Sequence, residues 1–149
     1  MRDILFRGQR TDNGEWVYGS MFSIDLETCS RVEKKKYTHC ITEPKVEFYH
    51  GQVARLEFVI PETIGQYTGV TDKNGGKMIY EGDIVVARQG RNAVDKAVIR
   101  YENGAFMVYP HNGKIYERTI WEYWYNDWDL EVIGNIHDNP ELLEDGEVN

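Results

Sequence analysis

Asp72, Asp83 and Lys77 stand among five glycines in the stretch IGQYTGVTDKNGGKMIYEGDIV, residues 64–85. Glycines beside acids and a lysine can hold a phosphate or a cation. A phosphate loop needs a Lys-Ser or Lys-Thr pair entering a helix, so that main-chain amides and the ammonium surround the anion. Here Lys77 is followed by Met78 and by residues of strand type. A calcium loop needs alternating oxygen ligands, a glycine at its sixth position and a carboxylate at its twelfth. Counted from Asp72, Asn74 and Asp83 fit the third and twelfth positions, but Lys77 stands where the glycine belongs. The stretch therefore reads as chain reversal. A turn forms at Asn74-Gly75, and Glu81-Gly82-Asp83 opens a strand, with Asp83 placed to accept a hydrogen bond from a turn amide.

Other reactive side chains form no recognisable set. Cys29, His39, Cys40 and His50 are the residue types of a tetrahedral zinc site, but no closely spaced Cys pair exists. His39 and Cys40 are neighbours, and neighbours on a strand point to opposite faces, which disfavours a Cys–His nucleophile. Two cysteines are too few for a disulfide framework and read as reduced thiols. Glu57, Glu62, Glu81, Asp83, Glu122 and Asp127 supply carboxylates, but spacing in sequence brings no two of them together. The expectation is a protein without catalytic residues, metal or cofactor.

The densest chemical feature is aromatic. TIWEYWYNDWDL, residues 119–130, places three tryptophans and two tyrosines within eight residues. Read as a strand, Trp124 and Trp128 share the face of Leu130 and Val132 and enter the core. Trp121, Tyr123 and Tyr125 then fall on the opposite face, rimmed by Glu122, Asp127 and Asp129. That face is covered by the N-terminal hairpin or forms an interface with a second copy or another protein.

The elements that carry these residues read as mainly β. Four Asn-Gly pairs, at 13–14, 74–75, 103–104 and 112–113, suit hairpin turns because both residues tolerate positive φ. ILFRGQR and EWVYGSMF form a first hairpin, VARLEFVI a further strand, and Pro61 starts one helical turn. DIVVAR, AVDKAVIRY, AFMVYP, KIYERTIWEY and DWDLEVIG make five strands that curl into a small SH3-like or OB-like barrel. PELLE forms a short C-terminal helix capped by Asp138 or Asn139. The expected organisation is one domain over 1–145. An N-terminal β subdomain (1–60) packs on the barrel portion (61–136), and a helix (137–145) precedes a frayed tail (146–149).

With 149 residues the chain is long enough to bury about 70% of its unfolded surface. Its net charge of −8 is lopsided, since residues 117–149 hold ten acids against the single Arg118. An acidic surface disfavours a general nucleic-acid binder. No apolar run spans a membrane, and MRDILFRGQR does not read as a signal peptide, so a cytosolic location is expected.

IPETIGQYTGVTDKNGGKMIYEGDIV, EVIGNIHDNPELLE and ILFRGQRTDNGEWVYG together resemble the YopX family of phage and prophage proteins. The resemblance runs from about Met1 to Glu144. It is carried most specifically by Gly65, Gln66, Tyr67, Thr68 and Gly69, by Asp72 to Gly75, and by Tyr80 to Asp83. It implies a mostly β protein with an SH3-type barrel portion and a bacterial cytosolic setting. It supplies no catalytic residues, and Gly65, Gln66, Tyr67, Gly69, Asp72, Gly75, Gly82 and Asp83 are expected to be structural. The function expected is a non-enzymatic accessory protein that binds an unknown protein partner or self-associates. The alternative is a nucleic-acid-linked role. It would act either by direct binding through a stripe of Arg88, Arg91, Lys96 and Arg100, or by acidic mimicry of DNA toward a host protein.

Overall fold

In the computed structural model, residues 4–24, 38–42, 56–73 and 75–144 are described. Alternating β-branched and aromatic residues between Gly-bearing turns produce strands, and all strand pairs are antiparallel. In chain order the strands are β1 (Phe6–Gln9), β2 (Trp16–Ile24), β3 (Thr38–Thr42), β4 (Glu57–Phe58), β5 (Gly65–Thr71) and β6 (Met78–Tyr80). Then follow β7 (Asp83–Gln89), β8 (Asn92–Glu102), β9 (Ala105–Pro110), β10 (Arg118–Thr119), the helix α1 (Ile120–Tyr125) and β11 (Asp129–Asn135). Single 3-10 turns occupy Pro61–Thr63 and Pro140–Leu143. The chain divides into two compact units, Met1–Gln66 and Tyr67–Asn149, with the boundary inside β5.

In the N-terminal unit the strands run β4-β3-β2-β1, and β1 also pairs with the first two residues of β5. The β1–β2 hairpin turns at Asn13-Gly14, as expected, with Gly14 at φ 72°. The Asn13 side-chain oxygen accepts the Glu15 amide at 3.0 Å. Gly8 is required by a close approach. A methyl group there would meet the Val59 side chain at 3.0–3.2 Å, and Val59 is buried. Pro61 opens its 3-10 turn as predicted, and the Thr63 hydroxyl accepts the Gln9 amide at 2.8 Å while donating to the Ile60 carbonyl at 2.7 Å. Of the strand predicted within 53–60, only Glu57–Phe58 forms a ladder among the described residues.

In the C-terminal unit five strands run in the order β10-β9-β8-β7-β11. Asn103 (φ 53°) and Gly104 (φ 82°) make the β8–β9 turn with both residues left-handed, the type I′ geometry that matches strand twist. One face of this sheet carries Val85, Ala87, Ala97, Ile99, Val108 and Leu130, all buried and joined by Ile79, Ile115, Ile120 and Tyr123. Trp128 and Val132 pack against this cluster, so the predicted alternation of β11 holds.

Three expectations are corrected. The five-stranded sheet is open, not a closed SH3-like barrel, because its order ends at β10 and β11 and no ladder joins them. Closure would need a long strand before β11, but β10 has two residues and the chain then winds into α1. Within the strand expected over KIYERTIWEY, Arg118 and Thr119 pair with β9, whereas Ile120 to Tyr125 form the helix α1. The C-terminal helix is a single 3-10 turn, and Asn139 makes no side-chain cap bond. The Asn139 amide instead donates to the Asn135 carbonyl at 2.9 Å, and the Asn135 side-chain oxygen accepts the amides of His137 and Asp138 at 3.0 and 2.9 Å. The expected tail, 146–149, lies outside the described residues.

Candidate docking surface on helix α1

The glycine-rich stretch spends its carboxylates on the chain itself. Buried Asp72 accepts the amides of Gly75 and Lys77, each at 3.0 Å, and its own amide donates to the Lys77 carbonyl at 2.8 Å. Its second oxygen faces the Val132 amide at 3.5 Å, while the Lys77 ammonium reaches the Val132 carbonyl at 3.4 Å. The Lys73 amide donates to Asp129 at 3.3 Å. The loop thus covers part of the open edge of β11, which would otherwise present unpaired main-chain groups. Asp83 accepts the Tyr80 amide at 2.7 Å, the turn hydrogen bond expected of it. Gly82 (φ 83°) donates its amide to the Ile99 carbonyl at 2.8 Å and accepts the Ile136 amide at 2.9 Å. Tyr67 and Tyr80 pack ring to ring at 5.6 Å, Gly69 sits at φ 88°, and Gly65 and Gln66 pair with β1.

The aromatic segment is organised by a capping box. The Thr119 hydroxyl accepts the Glu122 amide at 3.2 Å, and the Glu122 carboxylate accepts the Thr119 amide at 3.0 Å. The Thr119 amide and hydroxyl, both donating to that carboxylate, hold the Glu122 carboxyl below the usual carboxylate range. The helix ends in a Schellman motif. The Trp128 amide donates to the Tyr123 carbonyl at 3.0 Å and the Asp127 amide to the Trp124 carbonyl at 3.3 Å, with Asp127 at φ 59°. Lys73 pairs with Asp127 at 2.9 Å and lowers its carboxyl.

Helical spacing reassigns the faces. Ile120 and Tyr123, three residues apart, point inward. Tyr123 is 4% exposed, its hydroxyl donates to the Tyr116 carbonyl, and burial pushes its phenol up. It therefore leaves the expected interface trio for the core. Trp124, expected in the core, is 50% exposed, beside Trp121 at 59% and Tyr125 at 75%. The Trp121 and Trp124 rings stack at 5.2 Å and 25°, and Trp121 meets Tyr125 at 6.4 Å. The outer flank of α1 is thus an aromatic platform of Trp121, Trp124 and Tyr125. The missed signal was Thr119-x-x-Glu122, a helix-start pattern.

Among the described residues the other candidate sets do not come together. Cys40 is a buried free thiol, and desolvation pushes its pKa up, away from the reactive thiolate. Cys29 and His50 lie outside the described residues, as does Asn74. Among the described residues no group of three or more His, Cys, Asp or Glu could hold a metal ion. Arg88, Lys96 and Arg100 occupy even-numbered positions that share a sheet face, but each is engaged. Arg88 pairs with Glu131 at 2.7 Å, Lys96 donates to the Leu142 carbonyl at 2.9 Å, and Arg100 lies over the Tyr109 ring at 5.1 Å. Arg91 is exposed at the β7–β8 turn.

Such a molecule is an antiparallel β protein of two units, with one α-helix among the described residues, which displays Trp121, Trp124 and Tyr125. Among the described residues, no helix is long and apolar enough to cross a membrane. The chain belongs to the YopX family, whose model matches residues 5–144. It is similar to the crystal structure of protein EF1440 from Enterococcus faecalis, at 25% identity and TM-score 0.53, covering 97% of this chain and 100% of that one. It also shares the fold of protein yopX from Bacillus subtilis, at 18% identity and TM-score 0.55, covering 96% of this chain and 98% of that one. No curated protein matches the chain.

Proposed function

We propose that the chain is a non-enzymatic accessory protein of a phage or prophage, acting in the bacterial cytosol by binding another protein through the aromatic flank of α1. The observation that supports this reading is the stacked, solvent-facing Trp121–Trp124 pair with Tyr125 beside it. Exposed tryptophans on a capped helix are rigid, ready-made anchors, and such residues dominate binding energy at interfaces. The buried carboxylates of the glycine-rich stretch are taken up by main-chain amides, which favours a structural use of that motif over a catalytic one.

Charge selects the partner. Asp129 lies beside Trp124, and residues 117–149 hold ten acids against one arginine. Two copies meeting through this flank would bring like charges together, whereas a Lys- or Arg-rich segment adds cation–π contact to Coulomb attraction. The partner is therefore a foreign, basic protein surface in preference to a second copy.

Titration of the protein with an Arg-rich peptide of about ten residues tests this, read by quenching of tryptophan fluorescence. Saturable quenching that weakens with salt and disappears in Trp121→Ala/Trp124→Ala is the expected result. Unchanged fluorescence at low salt, with a concentration-dependent mass in light scattering, would replace the foreign partner by self-association.

A second reading rests on the same acidic bias. The surface mimics DNA and captures a DNA-binding host protein. Direct DNA binding is the weaker form, because Arg88, Lys96 and Arg100 are already engaged. A salt-sensitive electrophoretic shift with plain duplex DNA would favour the direct form.

A further inference from the structure

The opposite flank of α1, bearing Glu122 and Asn126, borders a separate open cleft of about 130 Å³. Its floor is apolar and aromatic, made by Ile115, Tyr123 and Trp128, and its walls carry Lys114, Tyr116 and Arg118. We propose that this cleft binds a single aromatic ring bearing a carboxylate.

Size sets the first limit. A cavity of about 150 Å³ accepts a benzene-sized ligand, so this cleft matches one six-membered ring. The shape of the floor sets the second. The Tyr123 and Trp128 rings meet edge to face at 5.5 Å and 84°, and a planar guest extends that aromatic packing.

Charge sets the third. Arg118 and Lys114 stand in or beside a segment dominated by acids, yet both line this cleft. Among the described residues neither is found in an ion pair, and the Arg118 guanidinium lies over the Tyr116 ring at 5.5 Å. An arginine in that posture offers its fork of N–H donors to a carboxylate. Glu122 also lines the cleft; one of its carboxylate oxygens is held by the Thr119 amide and hydroxyl, and the Arg118 charge acts on it.

The walls are held in place before any ligand arrives. Asp95, fully buried, accepts the Asn112 amide and side-chain nitrogen at 3.1 and 3.0 Å and the Lys114 amide at 2.8 Å, which fixes the approach to Lys114. The Tyr123 hydroxyl ties the Tyr116 carbonyl, and the Schellman bond to Tyr123 seats Trp128. A prearranged site loses little freedom on binding.

The ring and carboxylate could belong to a free aromatic acid or to the C-terminal Phe or Tyr of a peptide. Titration of the full chain with benzoate, followed through the Trp128 indole N–H by NMR, tests the site. N-acetylphenylalanine serves as the peptide-end probe. Benzoate is expected to shift the Trp128 signal saturably at millimolar concentration, and benzyl alcohol to bind about tenfold more weakly for want of the charge. Arg118→Gln and Lys114→Gln should each weaken benzoate by a similar factor. Both side chains are exposed, so the variants keep the fold, which the unchanged remainder of the spectrum verifies. Trp121→Ala should leave benzoate binding intact, and this separates the cleft from the platform of the proposed function. Tighter binding of N-acetylphenylalanine than of benzoate identifies a peptide end as the natural ligand, and the reverse identifies a free acid. Equal affinity of benzoate for the wild type and Arg118→Gln, or no saturable shift with either acid, overturns the proposal.

Discussion

Thr119 and Glu122 hold each other's main-chain amides, at 3.0 Å from Thr119 to the Glu122 carboxylate and 3.2 Å from Glu122 to the Thr119 hydroxyl. This reciprocal pair starts a helix in a segment whose composition suits a strand. It thereby decides which rings face water. Without it, the alternation of a strand would send Trp124 inward and Tyr123 outward.

Removing the cap should loosen the platform. Thr119→Ala is expected to cost about 1 kcal/mol, equivalent to about 2–4 °C in Tm. The near-ultraviolet circular dichroism of the stacked Trp121–Trp124 pair should fall at temperatures where the sheet is still folded. An unchanged melt and unchanged dichroism would show that packing of Ile120 and Tyr123 alone sustains the helix.

The same pair makes α1 acid-sensitive. The folded Glu122 carboxyl titrates below its ordinary value of 4.5 because the Thr119 amide and hydroxyl bind its charged form. Its contribution is therefore complete above about pH 5, declines as pH falls through 4.5, and is gone once pH passes the lowered folded value. Stability measured between pH 7 and pH 3 should fall less steeply in Glu122→Gln than in the wild type. Identical slopes would contradict the assignment.

Asp127 closes the helix in a left-handed conformation that glycine adopts at lower cost. Its ion pair with Lys73 is exposed and offers little in return. Asp127→Gly should stabilise the protein by about 0.5–1 kcal/mol in a urea melt. A net loss would mean that the Lys73 contact outweighs the backbone strain.

Asp95 is fully buried and accepts three hydrogen bonds from Asn112 and Lys114. Asp95→Asn replaces an acceptor oxygen by a donor and sets it against the chain's own N–H groups. A loss of about 2–4 kcal/mol is expected, together with weakened benzoate binding as Lys114 shifts. Retention of full stability would be inconsistent with the carboxylate clamp.

Gly134 lies beneath the C-terminal 3-10 turn. A methyl group there would meet the Asn139 oxygen at 2.5 Å and a Leu142 methyl carbon at 2.8 Å. Gly134→Ala should cost about 1–3 kcal/mol and raise amide exchange at Leu142 and Glu144, whose N–H groups hold the turn. Native exchange rates at both amides would disprove the close approach.

The turns and most of the strands were legible in the sequence because their causes are local. Asn13-Gly14 and Asn103-Gly104 favour positive φ by themselves, and the alternation of Trp128, Leu130 and Val132 marks a half-buried strand wherever it packs. The start of α1 was equally local, but its capping box lies inside a run of aromatic residues that suits a strand just as well. Other features depended on partners far along the chain. Asp72 reaches Val132, sixty residues later, and only that meeting turns a glycine-rich loop into the cover of a sheet edge. Arg88, Lys96 and Arg100 look like a basic stripe until Glu131, the Leu142 carbonyl and Tyr109 engage them. The cleft between Lys114, Arg118 and Trp128 has no signature in any window of residues. By itself the sequence determined an antiparallel β chain and its reversals at Asn13-Gly14 and Asn103-Gly104, where two or three neighbouring residues set the turn, whereas Asn112-Gly113 falls in a seven-residue connection, 111–117, instead of a tight turn. Only the tertiary structure decided that the sheet stays open, that Tyr123 is inside while Trp124 is outside, and that two cations and an aromatic floor share one cleft. Those outcomes depend on which distant surfaces exclude water together.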